Sequence, residues 1–136
     1  MTYHQLVMED YVMFTKLVFE RLNDRELTSG QPKILEYLAN NDGAVQKDIA
    51  TYCKIEPATV TNLLTRMEKN GLITRRVFEE NRRYFHIFLT DKGKEKAEKL
   101  VKIFDEAEKK ALAGLTKDEI ENLCRMLKHI GKNLSE

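Results

Sequence analysis

Ile55-Glu56-Pro57-Ala58-Thr59-Val60-Thr61-Asn62-Leu63-Leu64-Thr65-Arg66-Met67-Glu68-Lys69-Asn70-Gly71-Leu72 is the stretch on which the fold turns. Pro57 suits the first turn of a helix, where its missing N–H costs nothing. Val60, Leu63, Leu64 and Met67 recur at i, i+3, i+4 and i+7, which is one buried helical stripe. Asn70-Gly71 ends the helix, because Gly71 can take the left-handed conformation at its C-terminus. The other face carries Thr59, Thr61, Asn62, Thr65, Arg66 and Lys69, with Glu68 the only acid nearby. A merely solvated face would intersperse more Glu with its Lys. Short hydroxyls, an amide and two cations are what base edges and phosphates in a major groove require. The stretch reads as a recognition helix.

Its neighbours agree. Gln46 to Cys53 forms a short helix with Ile49, Ala50 and Cys53 inward, and Lys54-Ile55-Glu56 leads straight into Pro57. That is helix-turn-helix spacing, and small Ala50 permits the close crossing the motif needs. After Gly71 the hydrophobic period changes from helical to two. Leu72 to Phe78 form one strand, Tyr84 to Leu89 a second, and Glu79-Glu80-Asn81-Arg82 the tip between them. A β-hairpin after a recognition helix is a wing, here with Arg82 and Arg83 at its tip and Arg75 and Arg76 on its leading strand.

The flanks are helical. Tyr3 to Leu22 is apolar over more than half its circumference, so it needs burial on more than one side. Thr28-Ser29-Gly30-Gln31 has capping-box spacing and opens a helix through Ile34, Leu35 and Leu38, with Pro32 in its first turn. Asn40-Asn41-Asp42-Gly43 closes that helix, and a stub of strand fits Ala44-Val45. Thr90 or Asp91 caps a long helix with Ala97, Leu100, Val101, Phe104, Ala107, Ala111 and Leu112 at helical spacing, ended by Gly114. Thr116-Lys117-Asp118-Glu119 is a second capping box, for a last helix through Ile120, Leu123, Cys124, Leu127, Ile130 and Leu134. The fold expected is mainly α with a small β-hairpin wing. Residues 28–90 form a winged helix-turn-helix, and 1–27 and 91–136 supply dimerisation helices. Their stripes have too little of one subunit to cover them, and two-fold symmetry is the simplest remedy.

With 136 residues, 42% hydrophobic and 33% charged, the chain has the size of one domain with a soluble surface. Its net charge of +1 is unevenly placed. From Ala44 to Thr90 eight Lys or Arg face five Asp or Glu, net +3, against −2 elsewhere. No apolar run is long enough to span a membrane and the first residues lack a signal-peptide pattern, so a cytoplasmic location is expected. Cys53 and Cys124 form no CxxC and no metal cluster with His4, His86 or His129, and read as buried thiols. No His–acid–nucleophile set, phosphate loop or metal cluster presents itself, so neither an enzyme nor a cofactor is expected.

The order helix, helix, helix-turn-helix, wing and two C-terminal helices resembles the MarR (multiple antibiotic resistance regulator) family of bacterial transcription factors, over nearly the whole chain. The landmarks are Leu27-Thr28 followed by Gln31, Ala58-Thr59-Val60-Thr61, Leu63-Leu64 with Met67-Glu68-Lys69-Asn70-Gly71-Leu72-Ile73, and Arg82-Arg83 leading to Leu89-Thr90-Asp91-Lys92-Gly93. The resemblance implies a homodimeric regulator, as a repressor, of a pseudo-palindromic double-stranded operator. Thr59, Thr61, Asn62, Thr65 and Arg66 would face the major groove and Arg83 the minor groove. Lys47 and Arg75 would meet phosphates, with Arg82 beside them. Family wings usually place Asp two residues before the wing arginine, whereas Asn81 here offers only a neutral acceptor. Pro32 stands where an aromatic or apolar residue is usual. The resemblance also implies a small aromatic or anionic effector, for which Tyr11, Phe14, Tyr37, His86 and Phe88 are candidates; packing in the core or dimer interface is their other reading. Two alternatives stand beside this: the same DNA-binding fold without an effector, and a winged helix used only for protein contacts. The polar and basic outer face of the recognition helix argues against the latter.

Overall fold

The change of hydrophobic period after Gly71 marks a change of architecture in the computed structural model, which describes residues 1–136. Six helices are present: α1 (Tyr3–Leu22), α2 (Gln31–Asn40), α3 (Gln46–Cys53), α4 (Pro57–Lys69), α5 (Asp91–Ala111) and α6 (Lys117–Leu134). Three strands, β1 (Ala44–Val45), β2 (Ile73–Phe78) and β3 (Asn81–Leu89), form an antiparallel sheet in the order β1-β3-β2. This is the mainly helical, winged arrangement read from the sequence.

The core gathers around α4. Val60, Leu64 and Met67 are wholly buried with Ile34, Leu35 and Leu38 of α2, Ile49 of α3, and Leu72 and Ile87 at the base of the wing. Truncating one such residue to Ala costs about 2–5 kcal/mol, so the inner stripe of α4 fixes where its outer face points. At its C-terminus Gly71 takes φ +75. Leu72 N–H then donates to Met67 O at 2.9 Å and Gly71 N–H to Glu68 O at 3.0 Å, the two bonds of a Schellman stop. The chain is thus turned directly into the wing.

The wing is anchored to α5 by close backbone approach. The Thr90 hydroxyl caps α5, accepting from Gly93 N–H at 3.0 Å, and donates to the Gly71 carbonyl. A side chain at Gly93 would collide with the Leu72 carbonyl, which is why glycine stands there. From that anchor α5 runs back against α1 and α2.

Several details depart from expectation. Thr28 and Gln31 form no capping box: Gly30, at φ +92, turns the chain, α2 starts at Gln31, and that side chain is carried into the core with neither polar atom bonded. The wing is irregular. Pairing runs Ile73↔Leu89 to Arg76↔His86 and resumes at Phe78↔Asn81, so residues 82–85 have only Val77 opposite them. The inward residue of α5 near its middle is Ile103, with Val101 and Phe104 only half-buried. Cys53 is buried as expected, but Cys124 is exposed. The cause is α6 itself: it starts with the expected capping box on Thr116, yet buries no residue and packs closely on no other element.

Candidate nucleic-acid interface

Because the inner stripe of α4 is fixed, Thr59, Thr61, Asn62, Thr65, Arg66 and Lys69 are all exposed on its other side. They fall into two chemical groups. Thr59, Asn62, Arg66 and Lys69 make no side-chain hydrogen bond or ion pair, so their full donor and acceptor capacity faces outward. The Thr61 and Thr65 hydroxyls are already engaged. Thr61 Oγ1 donates to Pro57 O at 3.0 Å and accepts from Gln46 Nε2 at 2.6 Å. Thr65 Oγ1 donates to Thr61 O at 2.9 Å and accepts from Arg75 Nη2 at 2.9 Å.

Arg75 therefore needs a different role from the one read from sequence. Its Nη2 also donates to Thr61 O at 3.0 Å, its Nε is buried without a partner, and the side chain is half-buried. The guanidinium ties β2 to α4 rather than projecting toward a phosphate. Arg76, on the other face of the strand, lies 5.3 Å over the Phe88 ring.

Lys47 and Arg83, thirty-six positions apart in sequence, come together. They line one groove of about 460 Å³ with Gln46, Thr51, Pro57 and Tyr84, between the start of α3 and the wing. Arg82 is exposed but lies outside that groove. The Asn81 side-chain Oδ1 accepts from the Arg83 backbone N–H at 3.2 Å, so it shapes the turn and leaves the Arg83 guanidinium unheld. The exposed hydroxyls and amide of α4 and this groove give the candidate interface two poles.

The five candidates for an effector do not share a site, which corrects that grouping. Tyr11 and Phe14 line a cleft of about 980 Å³ between α1, the end of α5 and α6. Tyr37 stacks on Tyr52, with centroids 4.5 Å apart. His86 and Phe88 surround Phe78 on the wing, and His86 Nδ1 donates to Gly43 O at 2.9 Å. Strand alternation does put His86 and Phe88 on one face, but that face turns to the wing's own aromatics. No helix is long and apolar enough to cross a membrane.

Comparison with known proteins decides what this interface belongs to. The MarR family model matches residues 27–85. The chain is 30% identical to S. aureus MepR in its DNA complex, covering 98% of both chains with a TM-score of 0.88. The chain belongs to the MarR family. Another crystal structure of MepR, described as a regulator of the multidrug efflux pump MepA, is also 30% identical over 98% of this chain and 99% of that one, with a TM-score of 0.69. A MarR-family regulator from Listeria monocytogenes, complexed with a 26mer DNA, is 25% identical over 98% of this chain and 89% of that one, with a TM-score of 0.89. Among curated proteins, the HTH-type transcriptional regulator YybA of Bacillus subtilis is 29% identical over 82% of this chain and 74% of its own.

This MarR-family transcriptional regulator also has, at the candidate interface, a residue that its sequence alone does not single out. Gln46, the first residue of α3, bonds across to Thr61 on α4, and the pairing depends on how the two helices cross. Its only sequence signal is a short-range one, an amide at the start of a helix that faces a hydroxyl-rich neighbour.

Proposed function

We propose that the chain acts as a homodimeric, sequence-specific repressor that binds a pseudo-palindromic double-stranded operator and is released by a small-molecule effector. The observation that carries this reading is the outer face of α4, where Thr59, Asn62 and Arg66 stand unpartnered over a fully buried inner stripe. In this reading Asn62 and Arg66 address base edges in the major groove, Thr59 supports them, and Lys47 meets phosphate. Thr61 and Thr65 hold the surface in shape, while Arg83 enters the minor groove from the wing. The likeness to MepR in its DNA complex, TM-score 0.88, and to MepR in its DNA-binding conformation, 0.89, against 0.69 for another MepR structure, supports a protomer already arranged for DNA. Dimerisation rests on apolar side chains left open along α1 and α6, among them Tyr11, Met13, Leu127 and Leu134. Such a regulator works in the cytoplasm, needs no cofactor and has its effector site beside the same helices.

The test is a titration of parent and variants against a panel of operator-like and scrambled duplexes. Asn62→Ala relaxes the sequence preference, losing about 1–3 kcal/mol on the preferred site only, while Lys47→Ala weakens binding to all sequences alike. A preference altered by Lys47→Ala and untouched by Asn62→Ala refutes the assignment.

A further inference from the structure

Besides holding the surface of α4 in shape, the bonds of Thr61 and Thr65 decide what each hydroxyl can still offer to a base. A hydroxyl has one hydrogen and two lone pairs, a carbonyl only accepts, and an amide NH₂ or a guanidinium only donates. Thr61 Oγ1 gives its hydrogen to Pro57 O at 3.0 Å and takes one from Gln46 Nε2 at 2.6 Å. Thr65 Oγ1 gives its hydrogen to Thr61 O at 2.9 Å and takes one from Arg75 Nη2 at 2.9 Å. In each case the hydrogen and one lone pair are spent, and one lone pair remains. Both residues are nevertheless exposed.

That polarity is pinned from outside the helix. A Thr bonded only to the carbonyl four residues earlier can turn off it and donate elsewhere. Here Gln46 of α3 and Arg75 of β2 hold the two oxygens from two different elements. Donating to a base would mean leaving the carbonyl and turning a lone pair toward it. Donation into the carbonyl also makes each oxygen the better acceptor. Thr61 and Thr65 lie one turn apart on one side of α4, about 6 Å along its axis. Arg66 and Lys69 only donate and Asn62 does either, so apart from Glu68 the fixed acceptors of this face are the two threonines.

We propose that Thr61 and Thr65 are specificity-determining acceptors, and that Gln46 and Arg75 are the positioning residues that keep them so. In the major groove adenine N6 and cytosine N4 offer an amino hydrogen, whereas guanine O6 and N7 and thymine O4 only accept. The bases opposite the two threonines are therefore adenine or cytosine. Guanine and thymine are rejected there because lone pair would face lone pair. The proposal rests on the reading of α4 as the major-groove helix and names the base chemistry selected at two of its positions.

Fluorescence-anisotropy titration of the full chain against its selected operator provides the test. Each adenine in turn is replaced by purine and each cytosine by pyrimidin-2-one, which lack the amino group. Effects on the duplex itself cancel, because every variant meets the same DNAs. Loss of the amino group opposite Thr61 or Thr65 is expected to weaken parent binding roughly fivefold. That cost is expected to vanish in Thr61→Val or Thr65→Val, which keep the methyl and lose the oxygen, and to persist in Thr61→Ser or Thr65→Ser. Gln46→Met frees the Thr61 oxygen to leave its carbonyl, and is expected to bring amino and keto bases within twofold at that position. Coupling of either threonine to a keto base, a preference that follows the methyl rather than the oxygen, no coupling to either threonine, or an unaltered preference in Gln46→Met each overturns the proposal. Sequence preference that persists without coupling to Thr61 or Thr65 leaves the DNA-reading role of α4 standing. Binding without any preference refutes that role as well.

Discussion

Arg75 Nη2 lies 2.9 Å from Thr65 Oγ1, so a residue of the wing is bonded to the exposed face of the recognition helix. Together with its bond to the Thr61 carbonyl, this lets one guanidinium set the angle between wing and helix. A phosphate-binding role and a bridging role give different variants. Lys is a point charge without the planar fork. It would keep a phosphate contact but not the bridge. Arg75→Lys and Arg75→Ala are therefore expected to weaken operator binding to a similar degree, about tenfold, with the salt dependence nearly unchanged. Titration at two salt concentrations checks it. Near-parent binding by Arg75→Lys, with a shallower salt slope for Arg75→Ala, would instead return Arg75 to the phosphates.

The two tip arginines are distinguished by position. Arg83 lines the groove with Lys47, and Arg82 does not. A narrow A·T-rich minor groove favours an inserted guanidinium. Arg83→Ala is expected to cost about 1–3 kcal/mol on the operator, and Arg82→Ala less, mainly through the salt slope. Asn81→Asp is expected to tighten binding by giving the free Arg83 guanidinium an ionic partner. If Arg82→Ala is the more damaging change, the assignment of Arg83 fails.

What the sequence disclosed and what it withheld follow from the range of the interactions. The stop of α4 at Gly71, the capping box at Thr116 and the two faces of α4 are set by residues within one or two turns of each other, so spacing alone reveals them. The partners of Arg75 and Gln46 come from other elements, ten or more positions away, and are fixed only when those elements pack. Gln31 shows the cost of reading a local motif without its backbone: positive φ at Gly30 outweighs the capping-box spacing. Cys124 shows the converse, since its apolar stripe is correctly periodic but has no surface to meet within one protomer.

Lys96 holds the start of α5 to the α1–α2 loop, with Nζ 2.7 Å from both Asp24 Oδ2 and Glu26 Oε2. Partial burial pushes Asp24 up. Hydrogen bonds from Lys96 and the Glu26 N–H, and the charges of Lys96 and Lys99, outweigh it and hold the carboxyl below its usual 3.8. Such a group contributes stability that is fully present above pH 3.8 and is lost as pH falls through the lowered value. Lys96 is also depressed by burial, but the two carboxylates raise it above its usual 10.5, so its share persists to that pH and is lost above the raised value. Lys96→Met is expected to cost up to about 1 kcal/mol at pH 7 and almost nothing at pH 2. Thermal melts at the two pH values decide it; an equal loss at both would assign the effect to packing of the lysine stem.

Leu6 of α1 is 46% exposed in the protomer, although it belongs to the apolar stripe. Leu6→Glu is expected to leave the helical circular dichroism intact while converting a dimer to a monomer in sedimentation equilibrium and abolishing tight operator binding. A parent chain that is already monomeric at micromolar concentration would contradict dimerisation through these helices.

Selection of bound fragments from random genomic DNA, followed by footprinting of the recovered sites, tests the whole account most directly. Two recognition helices on a two-fold dimer should lie about 34 Å apart and meet successive major grooves. The expected result is an enriched inverted repeat with half-site centres about 10–10.5 base pairs apart, protected symmetrically, and no longer discriminated when Asn62 is replaced by Ala. Retention without any enriched sequence, or enrichment of single unpaired half-sites, would contradict a sequence-reading homodimer.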